Sequence, residues 1–149
     1  KTNQFNLTTK RYEEADLFRF IKDSAEIYCI NVSDKFGDSG VTGLVIVKKK
    51  NKTECYIDSF LMSCRILGRK IENIFIKLIL SELKNKGYQK VYSNYIKTAK
   101  NKQVENFYLN NNFEEIYSDD FQKKYQIFLK DFDFKLNKNE SETYKIEIK

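Results

Sequence analysis

Residues 57–75, IDSFLMSCRILGRKIENIF, bring a thiol, three cations and a glycine to the point where a strand-like pattern gives way to a helix-like one: Cys64, Arg65, Gly68, Arg69 and Lys70. A helix start is partly positive and prefers Ser, Asp or Glu. Each cation placed there costs about 0.3–1 kcal/mol at an exposed site unless an anion neutralises it. Free N–H groups at a helix start after a strand are a common phosphate-binding arrangement, and Gly68 would let the backbone approach such a group closely. Cys64, next to Arg65 and the helix start, would have a stabilised thiolate and so a usable nucleophile. The plainer reading of the same residues is a small buried Cys ending a strand and a set of solvated surface cations. Both readings stay open on residue types alone.

The rest of the chain restricts the chemistry. It contains no histidine, which excludes Ser-His-Asp and Cys-His catalysis within this chain and every His-containing metal site. No metal is expected. Cys29 and Cys55 lack cationic neighbours beyond chance and read as core. The three cysteines have no zinc-like spacing, which fits reduced thiols in the cytoplasm. By strand alternation Asp58 falls on the same face as Cys64. Six residues span about 20 Å of strand, however, so the two cannot touch. Asp58 either orients substrate or acts as a base along the strand, or it pairs with a lysine across the sheet. Asp34 and Asp38 flank Gly37 in a turn-rich stretch that explains them without a functional role.

These residues need a scaffold. The chain has 149 residues, 41% hydrophobic and 15% aromatic, enough for one domain with a core. It is read as a single domain over 1–149, with residues 1–10 resembling a linker. It begins at Lys1 rather than Met, which points to a piece of something longer. No apolar run approaches a membrane span. The charge of +6 suits an acidic partner, but it comes with an Asn-, Ile- and Tyr-rich composition that makes nucleic acid an unlikely one.

A helix is expected over RYEEADLFRFIKD, then strands EIYCINVS, VTGLVIVKKK and ECYIDSFLMS, with DKFGDSG as a loop and KNKT as a hairpin connection. Residues 70–86 form the strongest helical pattern, burying Ile71, Ile74, Phe75, Leu78, Ile79 and Leu83 and ending at Gly87. KVYSNYI is a strand, and NKQVENFYLNN a helix with Val104, Phe107 and Tyr108 on one face. Strands FEEIYS and KYQIFLKDF follow, and ETYKIEIK alternates like another. The unit from Tyr56 to Ile96 implies a parallel crossover. The expected fold is a mixed α/β, mostly antiparallel sheet with helices on both faces.

The order of elements, with RILGRK opening the helix and NKQVENFYLNNNF further on, resembles the GNAT acetyltransferase fold. That family grips a cofactor pyrophosphate with a Gln/Arg-x-x-Gly-x-Gly/Ala turn, whose marked places fall on Arg65, Gly68 and Lys70; Lys70 puts a long side chain where the pattern has a small one. The resemblance implies coenzyme A or acetyl-CoA as cofactor, Tyr108 as general acid for a departing thiolate, and Asn101 and Asn106 near a pantetheine arm. KTNQFNLTTKRY, DKFGDSGVTGLVIV, IDSFLMSCRILGRKIEN and KNKQVENFY together resemble the C-terminal half of FkbH-like proteins. That likeness covers the chain to about residue 117 and implies an upstream phosphatase-type domain absent from this sequence. It also implies a glyceryl group moved to the phosphopantetheine thiol of an acyl carrier protein, with Cys64 holding the glyceryl thioester. Three functions follow as expectations: carrier-loading acyltransferase, acetyl-CoA-dependent N-acetyltransferase, or a non-catalytic domain that docks a carrier protein.

Overall fold

The computed structural model describes residues 7, 15, 16, 19, 22, 25–34, 37–62, 71–134 and 145–148. Seven strands form one sheet: β1 (Glu26–Asp34), β2 (Gly37–Lys49), β3 (Glu54–Met62), β4 (Lys90–Ile96), β5 (Glu114–Ser118), β6 (Gln122–Phe128) and β7 (Lys145–Ile148). Their order across the sheet is β5-β6-β4-β3-β2-β1-β7. Only β3 and β4 run parallel, joined by the expected crossover through helix α1 (Ile71–Asn85). The mixed, mostly antiparallel α/β class is therefore as the sequence implied. Of the helix expected over 11–23, the described residues Ala15, Asp16, Arg19 and Lys22 are helical.

Alternation builds the inner layer. In β4, Val91, Ser93 and Tyr95 are buried while the residues between them are half-exposed. Helix α1 covers this layer with Ile71, Ile74, Phe75, Ile79 and Leu83, as expected. Ile76 and Leu80 are buried as well, whereas Leu78 is only half-buried. The extra burial has a visible partner in the segment after β6: Phe132 packs against the core, its carbonyl accepts from Lys84 Nζ at 2.6 Å, and Lys77 lies over the Phe134 ring. Helix α1 stops where Gly87 adopts φ +97°. Tyr88 N–H then bonds the Leu83 carbonyl and Gly87 N–H that of Lys84, the paired bonds that close a helix C-terminus.

Two expectations need correction. DKFGDSG is expected as a loop, but among its described residues Asp34 pairs with Gly37 and Asp38 with Ser33, so both strands extend into it. NKQVENFYLNN is not one helix. It breaks into a 3-10 turn (Lys102–Val104) and a single helical turn, α2 (Phe107–Asn110). At the end of the second turn Asn111 Nδ2 donates to the Phe107 carbonyl and to Asn73 Oδ1, both at 2.9 Å.

Candidate functional site at the fork between β3 and β4

The parallel strands pair over only three positions: Glu54 with Lys90, Cys55 with Val91 and Tyr56 with Tyr92. Beyond Tyr56 and Tyr92 they part. Four residues further on, Phe60 and Ile96 would face each other in a continued ladder. Instead Leu7 lies between them, its N–H donating to the Phe60 carbonyl at 3.3 Å and its own carbonyl accepting from Ile96 N–H at 2.7 Å. One inserted residue opens the strands to about two ladder spacings, roughly 10 Å. Leu7 is fully buried in the core. The fork thus has backbone groups that are paired by a residue from outside the two strands.

Asp58 stands at the mouth of this fork. Ile46 pairs with Ser59 and Val47 with Ile57, so Asp58 is the extra residue of a β-bulge, a device that re-aims side chains beside sites. It is 4% exposed. Lys48 Nζ from β2 lies 3.4 Å from its Oδ1, and Ser59 Oγ donates to its Oδ2 at 3.1 Å. Of the two readings of Asp58, this geometry has the cross-sheet lysine.

Tyr108, on α2, is fully buried. It belongs to an aromatic chain that starts on α1 and crosses to β6. Phe75 meets Phe60, Phe60 meets Phe107, Phe107 meets Tyr108, and Tyr108 meets Phe113 and Tyr125, with ring centroids 5.0–5.7 Å apart. Edge-on contacts of this kind fix ring orientation. Ser93 and Tyr125 are cross-strand partners on the inner face. The hydroxyls of Ser93, Tyr108 and Tyr125 are all buried without a satisfied hydrogen bond, an expensive state in a core. Burial pushes the Tyr108 hydroxyl far above the ordinary phenol range; the nearby Ser93 hydroxyl pulls slightly the other way. Burial likewise raises Tyr125, to about 12. Both stay protonated at any working pH.

Asn101 has a different fate from the one expected. It is fully buried, its Oδ1 accepting from Thr98 N–H at 2.8 Å and Tyr95 OH at 3.0 Å while Nδ2 donates to the Ile96 carbonyl at 2.7 Å. It shapes the loop after β4 and presents no surface to a pantetheine arm. Asn106 does line a cavity of about 460 Å³ between α1 and α2, together with Glu72, Asn73, Lys77 and Gln103. Burial raises the Glu72 carboxyl, and its Oε2 is buried without a hydrogen-bond partner. Cys64, Arg65, Gly68, Arg69 and Lys70 lie outside the described residues. Cys55 is buried as expected, whereas Cys29 is only half-buried. Among the described residues no group of three or more Cys, Asp or Glu could hold a metal ion, and no helix is long and apolar enough to cross a membrane.

Leu7, Ser93 and Tyr125 were not singled out from the sequence. A signal existed for the last two: alternation in KVYSNYI and KYQIFLKDF puts polar hydroxyls on faces otherwise apolar.

No protein-family model matches the sequence, and no curated protein matches it either. Solved structures do resemble the fold. An N-acetyltransferase from Staphylococcus aureus Mu50 superposes with a TM-score of 0.58 at 15% identity, covering 78% of this chain and 74% of its own. Ard1 from Thermoplasma volcanium gives 0.58 at 19% identity, covering 80% and 82%. A GNAT family acetyltransferase from Elizabethkingia anophelis with acetyl-CoA bound gives 0.55 at 12%, covering 78% and 83%. With its forked β3–β4 pair and crossover helix, this chain has the fold of the GNAT acetyltransferases.

Proposed function

We propose that this chain is an acyltransferase that takes an acyl group from a pantetheine thioester. The observation that carries the reading is the fork itself. Its strands part beyond Tyr56 and Tyr92, with Leu7 taking the Phe60 carbonyl and the Ile96 amide, and the parting lies beside a buried cluster of hydroxyls. A pantetheine arm is extended and carries two amides, and the cavity bearing Asn106 and Asn73 offers amide partners. In the transfer, an acceptor N–H or O–H adds to the thioester carbonyl and the C–S bond breaks. The departing thiolate takes its proton from Tyr108, and the proton released by the acceptor restores the phenol. Burial keeps the Tyr108 phenol protonated and also makes it a weaker acid than a free tyrosine. The likeness to solved acetyltransferases, one of them with acetyl-CoA bound, supports a coenzyme A thioester as the donor.

A second reading is favoured by the four sequence blocks resembling FkbH-like proteins. In it the pantetheine belongs to an acyl carrier protein, Cys64 carries a glyceryl thioester, and an upstream phosphatase-type domain supplies the acyl group. Steady-state assays with acetyl-CoA, and separately with a holo-carrier protein, distinguish the two. Tyr108→Phe abolishing turnover while Cys64→Ala retains it supports the coenzyme A reading. The reverse pattern, with Cys64 alkylated fast at neutral pH, supports carrier loading. Absence of donor binding in both assays contradicts the function itself.

A further inference from the structure

A second cavity, of about 380 Å³, lies at the same fork. Tyr56 and Tyr92, the last ladder pair, form one wall, and Ser93 and Asn94, just beyond the parting, lie at its base. Ile116 forms another part of the lining. It is the extra residue where β5 bulges against β6, because Glu115 pairs with Tyr125 and Tyr117 with Lys124. The charged groups that line the cavity are the ammoniums of Lys50 and Lys124; no carboxylate is among its described lining residues.

Both cations are already directed by aromatic rings. Lys50 Nζ lies 4.1 Å from the Tyr92 ring centroid, and Lys124 Nζ lies 5.6 Å from that of Tyr117. Holding an ammonium over a ring reduces the side-chain freedom it must lose on meeting an anion. An apolar cavity of a few hundred Å³ with a few fixed polar groups is the usual form of a small-molecule site.

We propose that this groove binds the acceptor, and that it selects an anionic molecule with a flat apolar body and a free amine or hydroxyl, such as an amino- or hydroxyaryl carboxylate. This assignment rests on the acyl-transfer reading for the word acceptor, while the ligand chemistry rests on the groove alone. The ring of the ligand packs against Tyr56 and Ile116, its negative group meets Lys50 and Lys124, and Asn94 supplies a further polar contact. A polyamine or a lysine side chain would meet two like charges, whose own carboxylate neighbours, Glu54 near Lys50 and Asp119 near Lys124, lie outside the lining. The groove includes Tyr125, which contacts Tyr108, so the bound molecule lies next to the group that serves the departing thiolate.

Titration of the full chain with 1-naphthoate, followed by backbone NMR and with no thioester present, tests this without depending on catalysis. The expected result is saturable shifts at Tyr56, Tyr92, Asn94 and Ile116, with binding weakened at least tenfold in the Lys50→Ala/Lys124→Ala double variant. Both lysines are exposed, so the variant should keep the wild-type Tm. The isosteric cation 1-naphthylmethylamine should bind at least tenfold more weakly than naphthoate. Equal or tighter binding of the amine, an unchanged naphthoate affinity in the double variant, shifts confined to other sites, or no binding at 10 mM naphthoate would each overturn the proposal. Naphthoate binding here combined with failure of every thioester to bind would sustain the anion site and remove the acyl-transfer reading.

Discussion

The same two strands behave differently at their two ends. At the closed end, Glu54–Tyr56 and Lys90–Tyr92 form an ordinary parallel ladder, and Glu54 is tied to its surroundings by Asn51 at 2.9 Å and Tyr92 OH at 3.3 Å. At the open end the ladder is replaced by Leu7, and three hydroxyls nearby have no satisfied hydrogen bond. Backbone polar groups in a core must be paired, so the closed end is complete in itself whereas the open end is completed by a residue from elsewhere. The difference teaches that the ladder is self-sufficient at one end and depends on a distant residue at the other.

The largest expected effect separates chemistry from packing at the open end. Tyr108→Phe removes a buried hydroxyl without a hydrogen bond, so stability should be unchanged or higher by up to about 1 kcal/mol. Turnover should fall by about 10²–10⁴-fold, as expected for loss of a general acid. Denaturant melts alongside kcat measurements check this, and a variant that turns over normally would reduce Tyr108 to a packing residue.

Next is the wedge. Leu7→Ala should cost about 2–5 kcal/mol, as for other fully buried leucines, and should lower hydrogen-exchange protection at the Ile96 amide while Val91 and Tyr92 keep theirs. A loss under about 1 kcal/mol with Ile96 still protected would mean that the open end does not depend on Leu7.

Between the two ends lies the bulge. Lys48→Ala takes the ammonium away from a carboxylate that is 3% exposed in its side chain, whereas the lysine itself is 26% exposed. The cost should be about 1–3 kcal/mol, below the full penalty of breaking a wholly buried pair. Lys48→Arg should restore most of it in urea melts, and an Ala variant as stable as wild type would show the pair to be incidental.

A further effect spans both ends. Burial raises Cys55, at the closed end, from 9.0 to about 12, and Tyr125, near the open end, from 10.0 to about 12. Each is neutral below its unfolded value, so its contribution to stability is complete there and is lost as pH rises through the folded value. Stability should therefore decline between about pH 9 and 12. Cys55→Ala should make the early part of that decline shallower and Tyr125→Phe the later part, as followed by urea midpoints against pH. A pH-independent midpoint over this interval would contradict the burial of both groups.

Much of the scaffold is legible in the residues. The apolar repeat from Ile71 to Leu83 and the glycine at 87 define α1, and the strand–helix–strand unit forces the parallel crossover. Alternation cannot reveal a single inserted residue, so the bulge at Asp58 and the one at Ile116 are invisible until the ladders are registered. Leu7 is hidden for a different reason: it stands in a polar stretch with no period, and its partners are 53 and 89 positions away. The break in 101–111 is not signalled by the apolar face of Val104, Phe107 and Tyr108, which continues across it. The burial of Tyr108 was legible from helical spacing, whereas its neighbours Ser93 and Tyr125 needed the sheet to bring them together.

The most direct measurement is a backbone NMR titration of the full chain with acetyl-CoA. A pantetheine arm in the fork should shift Phe60, Ser93 and Ile96 strongly and leave Glu54, Cys55 and Lys90 at the closed end almost unmoved. Saturation without shifts at Phe60 and Ile96, or no binding at millimolar concentration of either acetyl-CoA or a holo-carrier protein, would contradict the claim that the fork receives the donor.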